Sequence, residues 1–264
     1  MEVFGYIASV FIGISLGLIG GGGSILTVPV LVYLFGVDAF LATEYSLFIV
    51  GISSLFGSVS YFKKSLVDFK IALIFGVPSI ISIFLTRNFL LPLIPNEIFK
   101  IGNFLMTKDI FLLLIFAGLM IIASYKMIQK RAEVAIEAFP SKKSNPILAV
   151  GEGSVVGILT GLVGAGGGFM IIPALVNLLK IPMKVAIGTS LVIISFNSLI
   201  GFFTSMNNVR IEWSLLATIS AIAIVGILIG SQLSKKIDGK QLKPAFGWFI
   251  LMMGIYIIVK ELFL

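Results

Sequence analysis

The sequence predicts an all-α, polytopic membrane protein made of two tandem repeats. Each repeat opens on a glycine-broken helix followed by three transmembrane helices. Composition, the lengths of the apolar runs and a self-match at one fixed offset predict it. Of 264 residues, 58% are hydrophobic and 12% charged, and the mean hydropathy is +1.14. A soluble domain carries about 45–50% apolar and about 25% charged residues, so a soluble enzyme does not fit. A bilayer core about 30 Å thick needs about 20 apolar residues per helix. Eight apolar runs reach or approach that length: 3–35, 40–62, 71–91, 110–128, 147–179, 185–206, 213–233 and 245–263.

The absent residue types exclude much chemistry. With no Cys and no His, there are no disulfides, Cys/His zinc sites, Cys nucleophiles or Ser-His-Asp triads. Histidine proton relays go with them. Neither cofactor nor metal is expected, nor is an enzyme, because the intramembrane acids are isolated. The formal charge of +7 sits in short loops between apolar runs, as in membrane proteins, and not on one basic face, so no nucleic-acid partner is expected. The expected surroundings are the lipid bilayer of the plasma membrane. No basic segment precedes the first apolar run, so no cleavable signal peptide is expected.

Shifted by 144 residues, the two halves align without a gap, and between positions 13 and 57, 18 of 45 pairs are identical. Glycine and proline fall in register: Gly17 on Gly161, Gly20 on Gly164, Gly22 on Gly166, Gly23 on Gly167, Pro29 on Pro173 and Gly57 on Gly201. Apolar composition alone does not align those residues. The expected organisation is repeat 1 over 1–129, a charged cytoplasmic linker over 130–146 and repeat 2 over 147–264. Secondary transporters are often built this way, with the site where the repeats meet. Residues 92–109 form a polar stretch expected to include a short surface helix.

The first run of each repeat is too long for one crossing, since 3–35 as one helix extends about 50 Å at 1.5 Å per residue. Its middle reads Gly20-Gly21-Gly22-Gly23-Ser24, and the second repeat has Gly164-Ala165-Gly166-Gly167-Gly168. Glycine this dense leaves the helix, and Pro29 and Pro173 suit the start of a new helix or a kink. Non-helical backbone at membrane depth must be buried in protein or line a cavity. Free N–H groups and the positive end of a half-helix suit an anion. The outer glycines, Gly13, Gly17, Gly157 and Gly161, are spaced for close helix crossing.

Lys and Arg counts discriminate two topologies. If each broken run crosses once, the basic residues divide 10 to 9. If each folds back as a hairpin, they divide 14 to 5. The positive-inside rule prefers the hairpins, and with them inverted repeats, outward termini and a cytoplasmic linker.

Polar residues within apolar runs complete the candidate site. Glu44 lies inside the second run and is the expected coupling-proton carrier. Ser46 and Ser190 recur just after each break. Thr189 and Asn197 offer neutral hydrogen bonds, although Asn also joins helices. Arg87 reads as a loop or interface cation, although an anion path could use it. Asp68, Glu212 and Trp213 read as helix starts at the membrane surface.

The segment Gly17-Leu18-Ile19-Gly20-Gly21-Gly22-Gly23 with Val28-Pro29 resembles the TauE/SafE sulfite exporter family. So do its repeat, Gly161-Leu162-Val163-Gly164-Ala165-Gly166-Gly167-Gly168 with Ile172-Pro173, and the segment from Ile181 to Leu191. The resemblance covers essentially the whole chain. It implies a permease for small sulfur-containing anions such as sulfite or organosulfonates, by export or uptake. The family's Gly-Thr-Ser element falls on Gly188, Thr189 and Ser190. In the first repeat those positions are Glu44, Tyr45 and Ser46, so only Ser46 matches. The expected substrate ligands are the residues of both breaks (Gly20 to Ser24, Gly164 to Gly168) with Ser46, Thr189, Ser190 and Asn197. A passive anion channel, or a carrier of an unrelated small organic anion, would use the same residues.

Overall fold

The computed structural model describes residues 2–101, 104–129, 146–179, 181–206, 211–234 and 239–263. The linker expected over 130–146 lies outside the described residues except Pro146. The chain is mostly helical. Helix α1 (Glu2–Ile19) leads into a 3-10 turn (Gly21–Leu26) and α2 (Thr27–Leu34). Then come α3 (Ala39–Phe62) and α4 (Phe69–Leu85), which continues through a π turn (Thr86–Leu90) into the short α5 (Leu91–Leu93). A strand pair, β1 (Glu97–Ile101) and β2 (Phe104–Thr107), precedes α6 (Lys108–Ile128). The second half holds α7 (Pro146–Val163), α8 (Gly168–Pro173), a π turn (Ala174–Leu178), α9 (Met183–Ser205), α10 (Trp213–Leu233) and α11 (Gly239–Phe263).

Among the described residues, five helices are long and apolar enough to cross a membrane: Ala39–Phe62, Phe69–Leu93, Lys108–Tyr125, Met183–Ser205 and Trp213–Leu233. Helix starts recur at the sequence offset. Glu2 and Pro146, Ala39 and Met183, and Phe69 and Trp213 each stand 144 residues apart. The all-α expectation needs one correction. Residues 97–101 and 104–107 pair as antiparallel strands, with Ile101 opposite Phe104, in the stretch where a short surface helix is expected. The reason is local: β-branched and aromatic residues, which favour strands, make up much of both segments.

Spans α3 and α9 form the centre, 67% and 72% buried. They run antiparallel, because Leu47 lies by Gly201, Gly51 by Leu199 and Gly57 by Leu191. Around them α1 packs on α10 and α4 on α7, and in each pair the helices run parallel. Gly13 and Gly17 sit against Gly226 and Gly230, while Gly153, Gly157 and Gly161 sit against Phe75, Ser79 and Thr86. In lipid, helix association depends on such close backbone approach rather than on apolar burial. A Cβ on Gly13 would collide with the Ala223 carbonyl oxygen, whereas Gly118 on α6 faces open space. Gly13→Ala is expected to cost about 1–3 kcal/mol through overpacking and to lower the melting temperature in detergent. Gly118→Ala is expected to leave it unchanged or slightly raised.

Candidate functional site

The first broken run reverses direction. Gly20 takes φ 74°, and the 3-10 turn that follows is closed by Ser24 Oγ donating to the Gly21 carbonyl at 2.7 Å. The arms then lie side by side. Gly23 packs on Ser15 and Leu16, and the Tyr6 and Phe35 rings meet edge-on at 5.3 Å. Pro29 stands in the first turn of α2, where its missing N–H costs nothing. In the second run Gly164, Gly166 and Gly167 all have φ between 67° and 73°, a region open to glycine at no steric cost. Pro173 closes α8, and the helix widens into a π turn after it. A proline without an N–H removes the bond that would hold the tighter register.

The two breaks touch backbone to backbone. A Cβ on Gly21 would run into the Cα of Gly168, and one on Gly168 into the Cα of Gly21. Each break also leans on the central helix of the other half. Gly20 faces Ile187 and Ser190 on α9, and Gly164 faces Thr43 on α3. Gly166 faces Ser198, Val50 and Ile194. The structure thus brings Gly21, Gly166 and Gly168 together beside Ile194, with Gly20 against Ser190 toward the start of α9, while Gly164 stands apart at Thr43 near the start of α3. Ala165 is also buried, and Gly22 lies within the 3-10 turn. Gly23 and Gly167 instead face their own arms, Gly167 meeting Thr160 on α7.

The expected polar ligands divide by their bonds. Ser46 Oγ is buried without a partner, as are Ser53, Ser54 and Ser198 Oγ. Ser198 is the serine beside Gly166 that the residue pattern alone did not single out; its repeat mate Ser54 was the available signal. Ser190 Oγ donates to the Ile187 carbonyl. Asn197 Nδ2 donates to Ser79 Oγ at 2.7 Å and joins α9 to α4, while its Oδ1 is unpartnered. Thr189 Oγ1 accepts from the Asp68 N–H at 2.9 Å. Tyr45, at the equivalent position of the first half, accepts from the Glu212 N–H at 2.6 Å. The two hydroxyls do the same work: each ties the chain entering α4 or α10 to a central helix. Tyr45 therefore departs from the Gly-Thr-Ser element in residue type but not in bonding.

Arg87 is not a loop or interface cation. It lies in the π turn and is 3% exposed. Its Nη1 donates to Glu44 Oε1 and to Ser205 Oγ at 3.0 Å, and Ser205 Oγ donates to Glu44 Oε2 at 2.5 Å. Glu44 is fully buried. The π turn explains the inward placement, since the extra residue rotates position 87 off the face an α-helix would give it. The available signal was one acid and one base, each inside an apolar run, because charges at that depth seek one another. A buried pair bears a desolvation penalty of several kcal/mol per ion, and this one is incompletely bonded: Arg87 Nε and Nη2 have no partner. At the same end of α3, a cleft of about 620 Å³ is lined by Asp38, Phe40, Glu97, Lys108 and Asp109 among others. There Asp109 accepts from the Phe40 N–H at 3.0 Å.

Comparison with known proteins points to a membrane transporter. The sequence profile described as "Sulfite exporter TauE/SafE" matches residues 6–257. The chain is 27% identical over 260 residues to "Probable membrane transporter protein YunE" of Bacillus subtilis (strain 168), covering 93% of each. It is 29% identical over 261 residues to a "Probable membrane transporter protein" of Xylella fastidiosa (strain 9a5c), covering 95% of this chain and 92% of that one. It is 28% identical over 273 residues to "Probable membrane transporter protein MJ0441" of Methanocaldococcus jannaschii, covering 96% and 94%. No solved structure matches the chain significantly. The chain belongs to the sulfite exporter TauE/SafE family and is a multi-pass membrane transporter rather than an enzyme.

Proposed function

We propose that this transporter is a proton-coupled secondary permease of small sulfur-containing anions such as sulfite or organosulfonates. In this reading the anion binds between the two glycine breaks, and Glu44 carries the coupling proton. The contact that carries the reading is Gly21 on Gly168. Two stretches of bare backbone meeting inside a membrane protein need a reason beyond packing, and an anion held by N–H groups supplies one. The unpartnered Ser198 hydroxyl, beside Gly166, adds a donor there, and Ser46 offers a second unpartnered hydroxyl on α3.

The reading includes two repeats in opposite orientations, 1–129 and 147–264, with a cytoplasmic linker between them. Equivalent helices α3 and α9 run antiparallel, as a two-fold axis in the membrane plane requires. The fold-back of the first broken run and the 14-to-5 division of basic residues favour the same topology. With Arg87 buried, four basic residues remain for the outer loops. Rocking one repeat against the other would part the breaks from one side at a time.

Purified protein in proteoliposomes is expected to accumulate radiolabelled sulfite or sulfoacetate when an inward proton gradient is imposed. Flux that ignores the gradient would make the protein a channel, and no flux of either anion would remove the substrate assignment. Ser46→Ala and Ser198→Ala break no internal hydrogen bond, so each is expected to keep the wild-type melting temperature and to lower transport about tenfold, the worth of a typical hydrogen bond. Wild-type transport in both would take these hydroxyls out of the site.

A further inference from the structure

We infer that Arg87 is the charged ligand of the transported anion, and that its pairing with Glu44 enforces uptake of one proton with each monoanion. The inference rests on the anion-transport reading above and adds to it the ligand and the stoichiometry.

Three observations separate this pair from a structural one. First, the bonding is lopsided. Glu44 and Ser205 both use Nη1, leaving Nε and Nη2 unpartnered in a residue 3% exposed. Nε and Nη2 form one edge of the guanidinium, two parallel N–H groups spaced for two oxygens of one carboxylate, sulfonate or phosphate. Second, the scaffold does not need the charge. The positions equivalent to Glu44, Arg87 and Ser205 in the other half are Gly188, Ser231 and Tyr61, all uncharged and all buried. There Gly188 simply packs against Tyr61 and the Leu66 carbonyl. Third, the free edge lies beside a glycine of α9, and the residues next to Arg87 and Glu44 in the chain meet the end of α7 and the start of the second break. A Cβ built on Gly201 stands 3.9 Å from Nε, Gly161 packs on Thr86, and Gly164 packs on Thr43, the neighbour of Glu44.

Charge balance then dictates coupling. With the site empty, Arg87 and Glu44 sum to zero. A monoanion on the free edge leaves one uncompensated negative charge in a low-dielectric site, which favours protonation of the nearest carboxylate. That carboxylate is Glu44: a proton from the aqueous phase binds it, and anion plus proton enter as a neutral sum. Among the described residues, Arg87 is the charged group against Glu44. On α6, Asp109 accepts from Phe40 and Lys108 donates to the Leu91 carbonyl. On α2, Tyr33 donates to Glu261. Tyr45, the neighbour of Glu44, is bonded to Glu212 at the start of α10. On α4, α7 and α9, Lys70, Glu152 and Lys184 stand near the ends remote from Arg87. Arg210 lies outside the described residues.

The test uses the full-length protein in proteoliposomes with methanesulfonate, a fixed monoanion, reading labelled anion, internal pH and membrane current together. Wild type is expected to carry one proton per anion with no current. Glu44→Gln is expected to carry the anion without the proton, more slowly, with a current and a flat pH profile. The neutral pair Glu44→Gln/Arg87→Gln should fold with a near-wild-type melting temperature and lose flux at least 100-fold. Arg87→Lys, which keeps the charge but not the fork, should raise KM at least tenfold. Wild-type flux in the double variant, or an unchanged proton count in Glu44→Gln, would overturn the inference and leave the anion-transport reading intact. No wild-type flux of methanesulfonate, sulfite or sulfoacetate would overturn that reading, and this inference with it.

Discussion

Two glycines of the opposite breaks, Gly21 and Gly168, lie backbone to backbone with no side chain between them, and much of the architecture serves to make that contact possible. Irregular backbone cannot face lipid, because its N–H and C=O groups would go unsatisfied. It must be walled in. The walls are α3 and α9, the most buried spans, and each break rests on the one from the opposite half. The outer glycines let α1 approach α10 and α7 approach α4 closely enough to hold the breaks from behind. Glycine therefore has two separate uses here: at the crossings it removes bulk, and at the breaks it also supplies positive φ.

Against this glycine-lined interior, the buried pair of Glu44 and Arg87 stands out. An apolar or hydrogen-bonded substitute at Glu44 and Arg87 would serve stability as well or better, and the second half of the molecule uses such a substitute. The two halves match in sequence at an offset of 144 residues, yet only the first holds the costly pair of Glu44 and Arg87, and the proposed transport cycle gives that charge a use. That asymmetry within a repeated frame links the fold to the proposed transport cycle.

What was legible in the sequence follows from how local each signal is. The breaks were legible because glycine and proline mark backbone geometry directly, and they recur at an offset of 144 residues. Glu44 was legible because an acid within an apolar run is conspicuous. Its partner was not, because Arg87 sits near the end of its run, where a cation ordinarily reaches water. Only the π turn, a feature with no sequence mark of its own, turns it inward. Ser205 lies 161 residues from Glu44 in sequence, and nothing local ties them. The paired strands 97–101 and 104–107 have a sequence mark in their β-branched and aromatic residues, but a polar stretch between transmembrane helices invites a helical reading. Tyr45 was set apart from Thr189 by residue type, although both hydroxyls accept the same kind of backbone bond.

The absence of cysteine from the natural sequence allows a direct test of whether the breaks form the substrate site. With Ser46→Cys as the sole thiol, alkylation in membranes measures how often position 46 opens to water, since its native side chain is fully buried. The account predicts slow labelling that a transported anion, sulfoacetate or methanesulfonate, slows further with a half-saturation matching its KM for transport. Labelling unaffected by an anion that the same variant carries would contradict it and place the pathway elsewhere in the molecule.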